Sequence, residues 1–159
     1  MSRKRWRKHM HDIVLIALSS PLLIGIYKDG VLIEIRQSYE KSSEALPELF
    51  KTILEEFDVR SVIYAKGPGS FMAIKVSYIF LKTLVIVRNI RLLAIDAFYF
   101  NGNRPIKAVG KLYFVKTSEG IVTMPFSEVQ TMSFQLPKVL KITDFTDDTA
   151  PFYGISAVG

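Results

Sequence analysis

Lys66-Gly67-Pro68-Gly69-Ser70 is the stretch whose residue types and spacing could do chemistry. Residues 61–65 before it are mostly β-branched or aromatic, and residues 72–88 after it contain no Gly or Pro. A strand, a Gly-Pro-Gly corner and a helix capped by Ser70 gather backbone N–H groups at a helix N-terminus, an arrangement that suits an anion. Lys66 would add charge to such a site. The same corner can equally serve only to fix a helix against a sheet. It is not a P-loop, because the G-x-x-x-x-G-K-[ST] spacing is absent.

Little else is available for catalysis. The chain has no cysteine, so disulfides and thiolate metal sites are excluded. Its two histidines, His9 and His11, stand near the N-terminus. The body is therefore expected to hold no histidine for acid–base work and no metal site. Asp96, at the end of a predicted strand, is the best-placed carboxylate, and it lacks a second acid or base beside it.

The net charge of +6 comes mostly from one place. Arg3, Lys4, Arg5, Arg7 and Lys8 are five of the 21 basic residues, and the other 16 meet 15 acidic ones. Residues 1–10 thus read as a basic tail on a nearly neutral body. The tail, with Trp6 for stacking on a base, is a candidate RNA contact; a solvated extension explains it as well. The apolar run at 13–18 imitates an export signal but breaks at Ser19-Ser20-Pro21. The run at 71–87 carries Lys75 and Lys82 and is marginal for a bilayer span of roughly 20 residues. No membrane segment is expected.

With 49% hydrophobic residues in 159, one domain with a sizeable core must position these groups. Hydrophobic patterning predicts strands at 12–18, 22–28 and 31–37, with Asp29-Gly30 as a hairpin turn. A helix over 43–57 follows, with Leu46, Leu49, Phe50, Ile53, Leu54 and Phe57 on one face and Pro47 in its first turn. Strand 61–65, helix 71–88 and strand 91–96 complete a β-β-β-α-β-α-β order. This is the order of the ribonuclease H-like lobe of actin-like ATPases and sugar kinases. The second helix is apolar around nearly its whole circumference, so it must be buried on two sides, by the sheet and by either its own chain or a partner. Beyond residue 100 the pattern weakens. Strands are expected at 106–116, 120–125, 129–136 and 139–142, as a reduced, mostly β second lobe over 101–159.

Residues 13–98 resemble the TsaB (YeaZ) family, the partner protein of bacterial tRNA threonylcarbamoyladenosine synthesis. Gly67-Pro68-Gly69-Ser70-Phe71-Met72-Ala73-Ile74-Lys75 lies over the family's G-P-G-S-F-T-G-x-R without a gap, and Lys82 falls on the lysine of its A-K-G. Ile90-Arg91-Leu92-Leu93 matches its I-P-L strand, and Ser43-Glu44-Ala45-Leu46-Pro47 its S-E-x-L-L-P helix start. Departures are clear. Leu18 stands at the strand end where the family has Asp, and leucine cannot ligate Mg²⁺. Met72 and Ala73 replace Thr and Gly, and Lys75 replaces Arg, losing the guanidinium fork.

The resemblance implies a cytoplasmic, non-catalytic partner of a TsaD-like transferase, which carries the chemistry on tRNA adenosine 37. ATP and Mg²⁺ would then be used by the partner complex with a TsaE-like ATPase; this chain would bind no cofactor or metal directly and meet tRNA only indirectly. Pairing through the two helices makes Leu46, Phe50, Ile53, Ile74, Tyr78 and Leu81 the candidate interface, and a homodimer of the isolated chain is a further option. Two alternatives stand beside it. One is an actin-like ATPase enzyme using Lys66, Gly67, Pro68, Gly69 and Ser70 as an anion site. The other is an RNA-binding accessory protein acting through its basic tail.

Overall fold

The structure is a computed structural model and describes residues 10–154. Its first half is a five-stranded sheet: β1 (His11–Ile16), β2 (Leu22–Lys28), β3 (Val31–Ser38), β4 (Val59–Ala65) and β5 (Arg91–Ile95), in the order β3-β2-β1-β4-β5. The meander β1-β2-β3 is antiparallel, while β1–β4 and β4–β5 are parallel. Asp29 and Gly30 both take positive φ, the backbone a two-residue hairpin turn requires. Central β1 is buried from Ile13 to Ile16, as a strand covered on both faces must be.

Helix α1 (Ser42–Glu56) and helix α2 (Phe71–Arg88) pack side by side on one face. There Leu46, Phe50, Ile53 and Leu81 meet Ile13, Leu15, Ile24, Ile26 and Val62. Fully buried side chains of this size contribute about 1.5–3 kcal/mol each. Pro47 is the sixth residue of α1, not part of its first turn, so it withholds the N–H that would reach the Ser43 carbonyl. Asn89 ends α2 in the left-handed region, its N–H returning to the Val85 carbonyl.

The sheet's other face is covered by side chains from described segments after β5. A 3-10 turn (Ala97–Phe100) leads to a three-stranded antiparallel sheet of β6 (Ile106–Lys107), β7 (Leu112–Thr117) and β8 (Gly120–Pro125). Phe98, Phe100, Ile106, Phe114 and Leu140 share one cluster with Val14, Ile16, Leu18 and Ile63 of the main sheet. Their apolar contacts are thus with the first half of the chain.

Three expectations change here. The strand expected over 106–116 is two strands, split at Gly110, whose φ is +56°. No strand forms at 129–136 or 139–142; Val139 makes a single bridge to Val31. These segments are held by side chains inserted into the core and by scattered bonds, such as the Tyr27 hydroxyl donating to the Pro137 carbonyl at 2.6 Å, and no ladder forms. The folded body was expected to hold no histidine, yet His11 is the first residue of β1, its ring 4.8 Å from that of Phe57 and Nδ1 3.3 Å from the Asp58 carbonyl.

Candidate functional site

The glycine corner sits between β4 and α2 and is held from three directions. The Lys66 N–H donates to the Ile95 carbonyl at 2.9 Å, and the Gly67 carbonyl accepts from Ala97 at 2.8 Å, which ties the corner to β5. The Ser70 N–H donates to the Leu18 carbonyl at 2.9 Å, tying it to the end of β1. The Phe152 N–H donates to the Lys66 carbonyl at 2.7 Å, and the rings of Phe71 and Tyr153 lie 4.4 Å apart. Segment 150–153 therefore lies across the corner.

Glycine is required there for space as well as for backbone angle. Gly67 has φ +114°, and a Cβ on it would stand 2.0 Å from the Phe152 carbonyl oxygen. A Cβ on Gly69 would stand 2.9 Å from that of Leu18. Ser70 caps α2 as expected, accepting from the Ala73 N–H at 3.4 Å. The Lys66 ammonium donates to the Asp148 carbonyl at 3.2 Å. Lys66, Gly67, Pro68, Gly69 and Ser70 are thus brought together as a joint between β1, β5 and the later chain.

Asp96 is similarly engaged. One carboxylate oxygen accepts from the Phe98 N–H at 3.0 Å and the other from Lys116 Nζ at 2.5 Å. Among the described residues no cluster of three or more His, Asp or Glu could hold a metal. A more deeply buried carboxylate escaped the sequence reading. Asp12 on β1 accepts from Arg60 Nη2 at 2.7 Å, Arg60 Nε at 3.2 Å and Ser61 Oγ at 2.5 Å. These bonds and the carboxylate charge raise the pKa of the Arg60 guanidinium further. Only the parallel pairing of β1 with β4 brings the three together, 48 residues apart in the chain; a lone acid in an apolar run is the signal that was available.

Most of the helix residues expected to meet a partner lie inside. Leu46, Phe50, Ile53 and Leu81 are buried beneath the helices, and Ile74 is buried in the cluster on the opposite side. They are core: the sheet takes the face of α1 that carries Leu46, Phe50 and Ile53, and on α2 the buried residues are Ile74, Ser77 and Leu81, although the rest of that helix is just as apolar. Tyr78 is half-buried, its ring stacked 6.2 Å from that of Tyr64. The RNA candidates Arg3, Lys4, Arg5, Trp6, Arg7 and Lys8 lie outside the described residues.

The apolar surface is the outer stripe of α2. Met72, Ile79, Ile86 and Val87 are 62, 56, 76 and 73% exposed. Met72, Ile79 and Ile86 recur every seven residues, so they line one side of the helix. Beside them runs a groove between the helix N-termini. One part, about 600 Å³, reaches from Ser19 and Tyr39 to Met72; the other, about 300 Å³, is lined by Pro47, Ile79 and Phe80, and the two share Ser42, Ser43 and Val76.

The sheet order and the two helices on one face define a mixed α/β fold of the actin-like, ribonuclease H-like type. Among solved structures it is similar to YeaZ from Pseudomonas aeruginosa, with a TM-score of 0.55 and 12% identity over 94% of this chain and 72% of that one. It is also similar to an uncharacterized protein described as having similarity to peptidase YeaZ from Pseudomonas aeruginosa, with a TM-score of 0.56 and 13% identity over 76% of this chain and 69% of that one. At such identity the likeness is one of fold. No family model and no curated protein matches the sequence. Among the described residues no helix is long and apolar enough to cross a membrane.

Proposed function

We propose that this chain is the partner subunit of a TsaD-like transferase in threonylcarbamoylation of tRNA adenosine 37, contributing a docking surface and no reacting group. ATP, Mg²⁺ and a TsaE-like ATPase belong to the complex and not to this chain. The observation that carries the reading is the apolar outer stripe of α2, where Met72, Ile79, Ile86 and Val87 face solvent beside the groove to α1. Four large side chains so placed on one helix are a strong invitation to a protein partner. The YeaZ-type fold and the internal use of the glycine corner support the same reading.

The interface is accordingly placed on these four residues and Val76, and no longer on Leu46, Phe50, Ile53, Ile74 or Leu81. Ile79→Asp sets an exposed carboxylate in the middle of the stripe and leaves the core untouched. It is expected to weaken binding to the TsaD-like protein of the same cell at least about 30-fold, the effect of losing about 2 kcal/mol at an interface centre. The thermal midpoint should stay within about 2 °C of the parent. Titration calorimetry reads the first and circular dichroism the second. Unchanged affinity, or hydrolysis of ATP by the isolated chain, would refute the proposal.

A further inference from the structure

β3 is an edge strand whose outer side is only partly closed. At its start, the Leu32 N–H donates to the Lys138 carbonyl at 2.9 Å and the Leu140 N–H to the Gly30 carbonyl at 2.7 Å. From residue 33 to residue 38, no described residue makes a backbone hydrogen bond to that outer side. Native edges are commonly protected by lysine, proline, other charges or bulges; β3 has no lysine or proline, but it carries Glu34 and Arg36 and one irregularity of register opposite Ile26 and Tyr27. Val31, Ile33 and Ile35 are each about half exposed along it. Every second residue of this six-residue stretch points its N–H and C=O outward, and such an open row fits another extended backbone.

We propose that two copies of this chain join antiparallel through β3, about a two-fold axis at Ile35, making one continuous sheet. The free length and the charges select this register. An axis at Ile33 would set Glu34 and Ile35 opposite Leu32 and Val31, whose edge residues 138–140 already occupy, whereas an axis at Ile35 keeps the pairing within residues 33–37 and leaves Ser38, opposite Leu32, unpaired. An axis at Arg36 would set two guanidinium groups opposite each other, a destabilising like-charge pair. An axis at Ile35 places Ile35 on Ile35, Ile33 on Gln37, and Glu34 on Arg36 twice over. Glu34 and Arg36 are already ion-paired within one chain, and Arg36 Nη2 also reaches Glu56 on α1 at 2.5 Å. The dimer joins two such networks of matched charge. None of these residues belongs to the α2 stripe, so the edge is independent of the proposed partner surface.

A charge exchange tests both the occupant and the register. The full chain carrying Ile79→Asp, which removes association through α2, is expected to be dimeric, with a light-scattering mass twice the 18.1 kDa of one chain. In that background Glu34→Arg sets Arg against Arg, and Arg36→Glu sets Glu against Glu, so each variant alone is expected to be monomeric. An equimolar mixture of the two restores both pairs, and the doubled mass should return. A monomeric Ile79→Asp chain, a dimer indifferent to either charge change, or folded variants that stay monomeric on mixing would each overturn the proposal. Should a charge variant fail to fold, hydrogen exchange decides on the Ile79→Asp chain alone. The outward-pointing amides, every second residue of 33–38, must gain at least about tenfold protection between dilute and concentrated samples, and unchanged exchange there overturns it.

Discussion

Gly67→Ala is expected to destabilise the protein by roughly 3–5 kcal/mol, a large part of the 5–15 kcal/mol that holds a typical domain together. Two separate costs combine. A non-glycine residue held at φ +114° costs about 1–3 kcal/mol. The new Cβ would also stand 2.0 Å from the Phe152 carbonyl oxygen, so segment 150–153 must lift from the corner, and such overpacking costs about 1–3 kcal/mol more. Gly110→Ala is the matched control. Gly110 too has positive φ, but nothing lies within 4 Å of its added methyl, so it should lose only about 1–2 kcal/mol. Urea denaturation of both variants measures the difference. Equal losses would show that segment 150–153 does not press on the corner.

The second large effect appears in alkali. Tyr27 and Tyr64 are buried, and loss of solvation raises both phenols well above the ordinary tyrosine value, with smaller contributions from Tyr99 for Tyr27 and from Tyr78, Tyr153 and Asp148 for Tyr64. Each hydroxyl donates to a backbone carbonyl of the later chain, Tyr27 to Pro137 on the covered face and Tyr64, on the helix side, to Thr149. In the unfolded chain both ionise near pH 10. Above that value the unfolded state binds fewer protons than the native one, so stability falls as pH rises. The contribution is complete below about pH 10 and is lost toward the raised native values, at about 1.4 kcal/mol per pH unit for each tyrosine. Denaturant midpoints between pH 9 and 11 should therefore drop steeply. Tyr27→Phe and Tyr64→Phe should each remove about half of the slope, and an unaltered slope in the double variant would contradict the assignment.

The sequence was most legible where periodicity is strong and contacts are short. Alternation along β3, the Asp29-Gly30 turn and the 3-4 spacing of α1 located the first half of the chain to within a few residues. It was least legible where a residue's fate depends on the rest of the chain. In α2, Leu81 and Ile79 are both aliphatic and two positions apart, yet one is wholly buried and the other is 56% exposed. Composition alone cannot rank them, because the sheet lies on one side of the helix only. Of the residues chosen for the interface, all but the half-buried Tyr78 were consequently core. Lys66 through Ser70 were found at once from their turn chemistry, but their role as a joint depends on Phe152 and Leu18. The Asp12–Arg60–Ser61 group was missed for the same reason, its only local signal being the acid of Asp12 beside an apolar run. Residues 129–136 and 139–142 are pinned by insertion and isolated bonds, not by a ladder, so reading them as strands failed.

The covering layer has a consequence for how this polypeptide is made. β2 and β4 are translated before the residues that complete them: the hydroxyl of Tyr27 waits for Pro137, and that of Tyr64, on the helix side, for Thr149. While the ribosome is still decoding the intervening codons, Val14, Ile16, Leu18 and Ile63 have no lid. The nascent chain is then a one-sided greasy sheet, prone to stick to its neighbours and slow to finish, as long-range topology dictates. Chaperone demand during synthesis, more than the endurance of the finished molecule, should limit how much of this protein a cell can accumulate.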